Sequence, residues 1–137
     1  MRARLFLLIL VLCSRTLGCG MFRPEYAIAI RNSTSEEIDD AAIQLGQYRS
    51  TFGVVGIHAT ATHSSLQEPI PETAVVEWRS GDGQLHRQEV HVRSSLPASF
   101  VDDDIIFDIQ PGEIVTLRLK TRPGKGVIKQ ERSQPAR

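Results

Sequence analysis

The stretch DIIFDIQPGEIVTLRLK, residues 104–120, decides the fold class. Ile105, Phe107 and Ile109 alternate with Ile106, Asp108 and Gln110. Val115, Leu117 and Leu119 then oppose Ile114, Thr116 and Arg118. Successive strand side chains point to opposite faces, so a repeat of two marks a strand with one apolar face, where a helix would repeat near 3.6. The intervening QPGE (110–113), with Pro followed by Gly, is tight-turn chemistry. The stretch therefore predicts two strands joined by a turn.

The same rhythm extends outward. In YAIAIRN (26–32), Tyr26, Ile28 and Ile30 face one way, and in TAVVEWRS (73–80) Ala74, Val76 and Trp78 do the same. Further strands are expected at 41–48, 54–62 and 85–92. RNSTSEE (31–37), SSLQEPIPE (64–72) and SGDG (80–83) carry loop or hairpin residues between them. Seven short strands with regular turns predict an all-β, two-sheet antiparallel sandwich over residues 26–120. Tyr26, Ile28, Ile30, Ile43, Leu45, Val76, Trp78, Val90, Ile105, Phe107, Ile109, Leu117 and Leu119 are the expected core. Each contributes about 1.5–3 kcal/mol when fully buried. With Trp78 on a mid-chain strand, where it can pack between two sheets, the body resembles immunoglobulin-like sandwiches. That resemblance is one of architecture, since no cysteine pair flanks the tryptophan.

Both cysteines, Cys13 and Cys19, lie ahead of this body in RARLFLLILVLCSRTLGCG (2–20). Arg2 and Arg4 precede an apolar run from Leu5 to Cys13, and Gly18 closes the segment. Charge, a short apolar core and a small residue before the cut make the layout of a secretory signal peptide over residues 1–18. The run is too short to span a bilayer, which needs about 20 apolar residues. Thr16-Leu17-Gly18-Cys19 resembles the lipobox of bacterial lipoproteins, although Thr16 stands where that family usually has Leu and Arg15 interrupts the approach. The resemblance implies that Cys19 is acylated and becomes the first mature residue. It also implies, because Gly20 rather than Asp follows, sorting to the outer membrane. Residues 19–25 then form a linker.

Charge is unevenly spread. The body from Cys19 to Leu119 holds 7 basic and 15 acidic residues, net −8, whereas residues 120–137 hold six basic residues and one acid, net +5. An acidic body does not suit nucleic-acid binding. The stretch 121–137, with Pro123, Gly124, Gly126 and Pro135, reads as a disordered basic tail.

Chemistry-bearing residues are sparse. His86 and His91 lie five apart on one expected strand, so they point to opposite faces and cannot share a metal. His58 and His63 are weak metal candidates. Asp102, Asp103 and Asp104 form the densest acidic run, but a calcium loop alternates its ligands and includes a Gly, and these adjacent aspartates fit a solvated loop or an edge guard better. Tyr48 and Phe52, beside Gly53 and Gly56, are weak binding candidates. Glycines in a strand suggest a bulge, and the simpler reading keeps both aromatics in the core. No Gly-x-Ser-x-Gly elbow and no phosphate-binding loop occur. Asn32-Ser33-Thr34 matches a glycosylation pattern but reads more simply as a polar turn.

The expectation is an exported, outer-membrane lipoprotein facing the periplasm, anchored through Cys19, without catalysis or cofactor. It would serve as a binding or assembly module for an envelope partner. The alternative is a soluble secreted domain with metal-dependent or carbohydrate-directed activity near His63 and residues 102–104.

Overall fold

The computed structural model describes residues 25–100 and 103–121. The leader, Cys19, Asp102 and most of the basic tail lie outside those residues. Eight strands follow in order: β1 (Tyr26–Asn32), β2 (Ile38–Leu45), β3 (Tyr48–Val55), β4 (Thr60–Leu66), β5 (Thr73–Arg79), β6 (Leu85–His91), β7 (Asp104–Gln110) and β8 (Ile114–Lys120). They form two four-stranded sheets, ordered β4-β1-β7-β8 and β3-β2-β5-β6. The all-β sandwich expected from the alternation is thus present. The β7–β8 hairpin sets Ile105 opposite Leu119, Phe107 opposite Leu117 and Ile109 opposite Val115, so both apolar sets face the other sheet.

Two features go beyond the sequence pattern. First, β1 and β7 pair in parallel, from Ala27 opposite Asp104 to Asn32 opposite Ile109, while every other neighbouring pair is antiparallel. Second, residues 38–66 hold three strands rather than the two expected at 41–48 and 54–62. Gly46, at φ +58°, turns the chain after Leu45, in a left-handed backbone region that only glycine enters without steric cost. A second turn centres on His58, at φ +57°. Neither turn contains the Asn-Gly or Asp-Gly pair that announces a hairpin. Ser64 to Leu66, expected in a loop, complete β4.

The core lies between the sheets. Tyr26, Ile28, Ile30, Ile43, Val76, Ile105, Phe107 and Ile109 are completely buried, Trp78 is 2% exposed, and Leu119 packs against this cluster while partly exposed. Tyr26 buries its hydroxyl as well, and that group donates to the Glu68 carbonyl at 3.0 Å. A buried phenol keeps its partner because an unsatisfied polar group would cost about 1–3 kcal/mol.

The parallel β1–β7 pair determines the polarity of the molecule. β1 and β7 start at one end, and β8 returns to it, with Lys120 opposite Asp104. The chain therefore enters the sandwich at β1 and leaves it from β8 at the same end, called proximal here. The opposite, distal end carries the β1–β2 loop, the β5–β6 hairpin and the β7–β8 turn. Contacts of Asn32 with Val55, Ile38 with Val55, and Asp39 with Arg79 align that end across both sheets.

Candidate functional site

A pocket of about 320 Å³ opens at the distal end. Its lining comes from the β1–β2 loop (Thr34, Ser35, Glu36), from Ile38, from Trp78 and His86, from the β5–β6 hairpin (Ser80, Asp82, Gln84), and from Ile109 to Glu113. Both sheets contribute, so the pocket is the mouth of the sandwich. That volume lies at the small end of the range for ligand sites.

Each wall has a local cause. Asn32, completely buried at the end of β1, holds the β1–β2 loop. Its amide nitrogen donates to the carbonyls of Glu36 (2.7 Å) and Val55 (3.0 Å), and its amide oxygen accepts from the Thr34 N–H (3.0 Å). That side chain is fully engaged inside the fold and is not presented to a glycan. Ser33 adds a second tether by donating to Asp108 Oδ1 at 2.6 Å. Asp108 is completely buried, and Arg118 Nε lies 2.8 Å from its other oxygen, a contact of charge rather than an aligned hydrogen bond.

The β5–β6 hairpin forms the facing wall. Ser80 N–H donates to the Gln84 carbonyl and Gly83 N–H to the Ser80 carbonyl. Asp82 Oδ1 accepts from the Gln84 N–H at 3.0 Å and lies 2.5 Å from Ser80 Oγ. These bonds, the Ser80 hydroxyl first and the Gln84 N–H second, hold the Asp82 carboxyl below its ordinary range. Gly81 lies close to the opposite rim: a Cβ there would meet Glu36 Oε2 at 2.7 Å, and that flexible side chain would have to shift.

His86 stands at the back of the pocket. The cross-strand pairing of Trp78 with His86 stacks the two rings, with centroids 5.1 Å apart and 19° between planes. His86 Nε2 lies 2.8 Å from Ser80 Oγ, and His86 Nδ1 lies 3.4 Å from Glu113 Oε1. Glu36, Asp82 and Glu113 line the pocket together with this one imidazole, so the mouth favours neutral or cationic guests over anions.

The residues singled out in the sequence lie elsewhere. Phe52 and His63, expected for different roles, stack on one another across the β3–β4 seam with centroids 4.6 Å apart, and His63 Nδ1 pairs with the buried Ser50 hydroxyl. Phe52 occupies a β-bulge, where Ala41 faces Gly53 and Ala42 faces Thr51. Tyr48 packs partly buried against the core at the proximal end. His58 is exposed in the β3–β4 turn. Asp103 is buried, Asp104 opens β7, and β7 is an interior strand, so these acids guard no sheet edge. Asp104 sits on the outer face and His63 on the inner one, and the fold does not bring them together. Among the described residues no three His, Cys, Asp or Glu side chains converge as metal ligands.

Ser80, Asp82, His86 and Glu113 were not picked out as a group in the sequence. One signal was present: His86 shares the inward phase of β6 with Val90, between exposed Leu85 and Arg87.

No family model matches the chain, and no curated protein matches it. Among solved structures it is similar to an NMR structure of a protein from Eubacterium rectale. The two share 13% identity with a TM-score of 0.49, over 79% of this chain and 100% of the other. A likeness of that size carries no functional argument.

Proposed function

We propose that the protein is an envelope lipoprotein, anchored through an acylated Cys19 at the outer membrane and facing the periplasm. Its sandwich serves as a binding module whose ligand site is the distal pocket. The observation that supports this reading is the polarity of the fold. β1 begins seven residues after Cys19, β8 ends at the same end, and the pocket opens at the other. A seven-residue strand is about 20 Å long, so an anchor at the proximal end would hold the pocket about that far from the lipid surface. The basic segment after Lys120 also leaves at the proximal end, where it would lie near anionic headgroups. The acid-rimmed pocket suits a small neutral or cationic ligand, or a cationic side chain of an envelope partner.

The test is the mass of the N-terminal peptide after full-length expression in a bacterium, with Cys19→Ser as control. Cys19 is expected to carry a diacylglycerol in the wild type, with the protein in the membrane fraction and the control in the soluble periplasm. An unmodified terminus beyond residue 19, or an intact Met1, would remove the anchor from this reading.

A further inference from the structure

The pocket wall holds a chain of contacts, Asp82–Ser80–His86–Glu113, whose two ends are carboxylates. Its protons can be counted. The hydroxyl of Ser80 owns one hydrogen, and a neutral imidazole owns one. If Ser80 donates to Asp82, the His86 Nε2–H donates to Ser80 Oγ, and Nδ1 meets Glu113 with a lone pair. If instead Nδ1–H faces Glu113, Nε2 is a free acceptor and takes the Ser80 hydrogen. The second arrangement is that of an activated hydroxyl: a nucleophile, a base within hydrogen-bond reach, and a carboxylate beyond the base. The 3.4 Å between Nδ1 and Glu113 is a charge contact rather than an aligned hydrogen bond, and it would have to tighten in the substrate complex.

We propose that Ser80 is a nucleophile for acyl transfer, with His86 as its general base and Glu113 as the positioning residue, and that the pocket accepts a small neutral or cationic ester. The proposal rests on the pocket being the ligand site and is independent of the anchor. Two observations carry it. Ser80 Oγ and His86 Nε2 are 2.8 Å apart inside the pocket wall. His86 is only 8% exposed and clamped flat on Trp78, so the ring is preorganised rather than free to turn. The Ser80 hydroxyl also lies 2.5 Å from Asp82 Oδ1 and 3.3 Å from the Gln84 carbonyl, so activation requires its one hydrogen to leave these acceptors for His86 Nε2. In the hairpin, the N–H groups of Ser80 and Gly83 serve backbone bonds, and those of Gln84 and Asp82 serve the Asp82 carboxylate.

In the reaction, Ser80 Oγ bonds to the ester carbonyl carbon while its proton passes to His86 Nε2. The carbon–alkoxide bond breaks, and His86 returns the proton to the leaving alcohol. Water then attacks the acyl-Ser80, gives its proton to His86, and releases the carboxylic acid as Ser80 recovers its hydrogen. Glu36, Asp82 and Glu113 disfavour esters that carry an anion.

The experiment treats the full chain with diisopropyl fluorophosphate, a small neutral reagent that phosphorylates activated serines with loss of fluoride, and maps the adduct by mass spectrometry. One adduct is expected, on Ser80, and none in Ser80→Ala. His86→Gln should slow labelling about 100-fold. Glu113→Gln should slow it about tenfold, with partial rescue in Glu113→Asp, which a merely structural role for this exposed side chain would not give. Circular dichroism checks that each variant is folded. In parallel, the emission of Trp78, the single tryptophan of the chain, is titrated with tetraethylammonium. An emission change without Ser80 labelling would overturn the nucleophile and leave the pocket as a ligand site. No response in either assay would overturn both. Equal labelling of wild type and folded His86→Gln would also overturn the proposal.

Discussion

The two ends of the sandwich are built from different materials. The proximal end is closed by aromatics: Tyr26 packs edge-on to Phe100 at 6.4 Å, and Tyr48 lies against the same core. The distal end is held open by polar side chains. Asn32 and Ser33 tie down one rim, the Asp82–Ser80–His86 contacts form the other, and Trp78 is the apolar floor between them. The proximal end gains by excluding water. The distal end spends buried polar groups on a fixed shape, which is how a small fold keeps a recess from collapsing into its core.

The strongest way to break this contrast is Trp78→Ala. The side chain is 2% exposed and floors the pocket while belonging to the core. Its loss should destabilise the fold by about 3–5 kcal/mol in urea denaturation. A loss below about 1 kcal/mol would mean that the floor is not continuous with the core.

Next is Asn32→Ala. The change removes the amide hydrogens from the Glu36 and Val55 carbonyls; the exposed Glu36 carbonyl keeps the Thr34 hydroxyl, whereas the buried Val55 carbonyl loses its side-chain donor. About 1–3 kcal/mol should be lost, from the one buried acceptor, the Val55 carbonyl. The emission of Trp78 should shift as the β1–β2 loop moves away, while near-ultraviolet signals from Tyr26 and Tyr48 stay unchanged. A tyrosine change of equal size would show that the two ends do not act separately.

The proximal end has its own signature, in alkali. Burial first, then the Glu68 carboxylate and then Tyr48, push the Tyr26 phenol up to about 12 from an ordinary 10.0. The unfolded chain therefore releases this proton near pH 10 and the folded one near pH 12. The contribution is fully present below pH 10 and disappears as pH rises from 10 to 12. It amounts to about 2–3 kcal/mol for two pH units at roughly 1.4 kcal/mol each. Wild type should lose that much more stability than Tyr26→Phe over this window, and parallel curves would remove the buried phenol from the account.

What was legible in the sequence follows the same division. The apolar alternation of 104–120, 26–32 and 73–80 marks strands because each residue reports only its own face. In 38–66 the alternation fails as a guide, because TATHSSL has almost no apolar face and the turns depend on Gly46 and on the left-handed backbone at His58. The parallel β1–β7 pair joins strands more than 70 positions apart, which no local pattern encodes. The distal site was hidden for that reason too: Ser80 and His86 meet through the Arg79–Leu85 pairing, and Glu113 arrives from the β7–β8 turn. A histidine in the inward phase of a strand was the one local clue. The acids at 103 and 104 drew notice by density alone, yet one is buried and the other opens an interior strand.

The smallest effect tests whether the distal shape extends along the seam between the sheets. Gln88 leaves β6 and bonds to the edge of β8 as a neighbouring strand would. Its amide nitrogen donates to the Glu113 carbonyl, and its oxygen accepts from the Val115 N–H at 3.0 Å. The residue that carries the acidic side chain facing His86 is therefore positioned by a side-chain amide from the opposite sheet. Gln88→Ala should cost only about 1 kcal/mol, because β8 regains water on an exposed edge. Hydrogen exchange at Val115 should nevertheless accelerate about fivefold, the equivalent of that same energy, while the Leu66 amide at the proximal end holds its rate. Faster exchange at both would mean that the seam supports the whole sandwich. Unchanged exchange at Val115 would mean that the β7–β8 turn holds Glu113 without help.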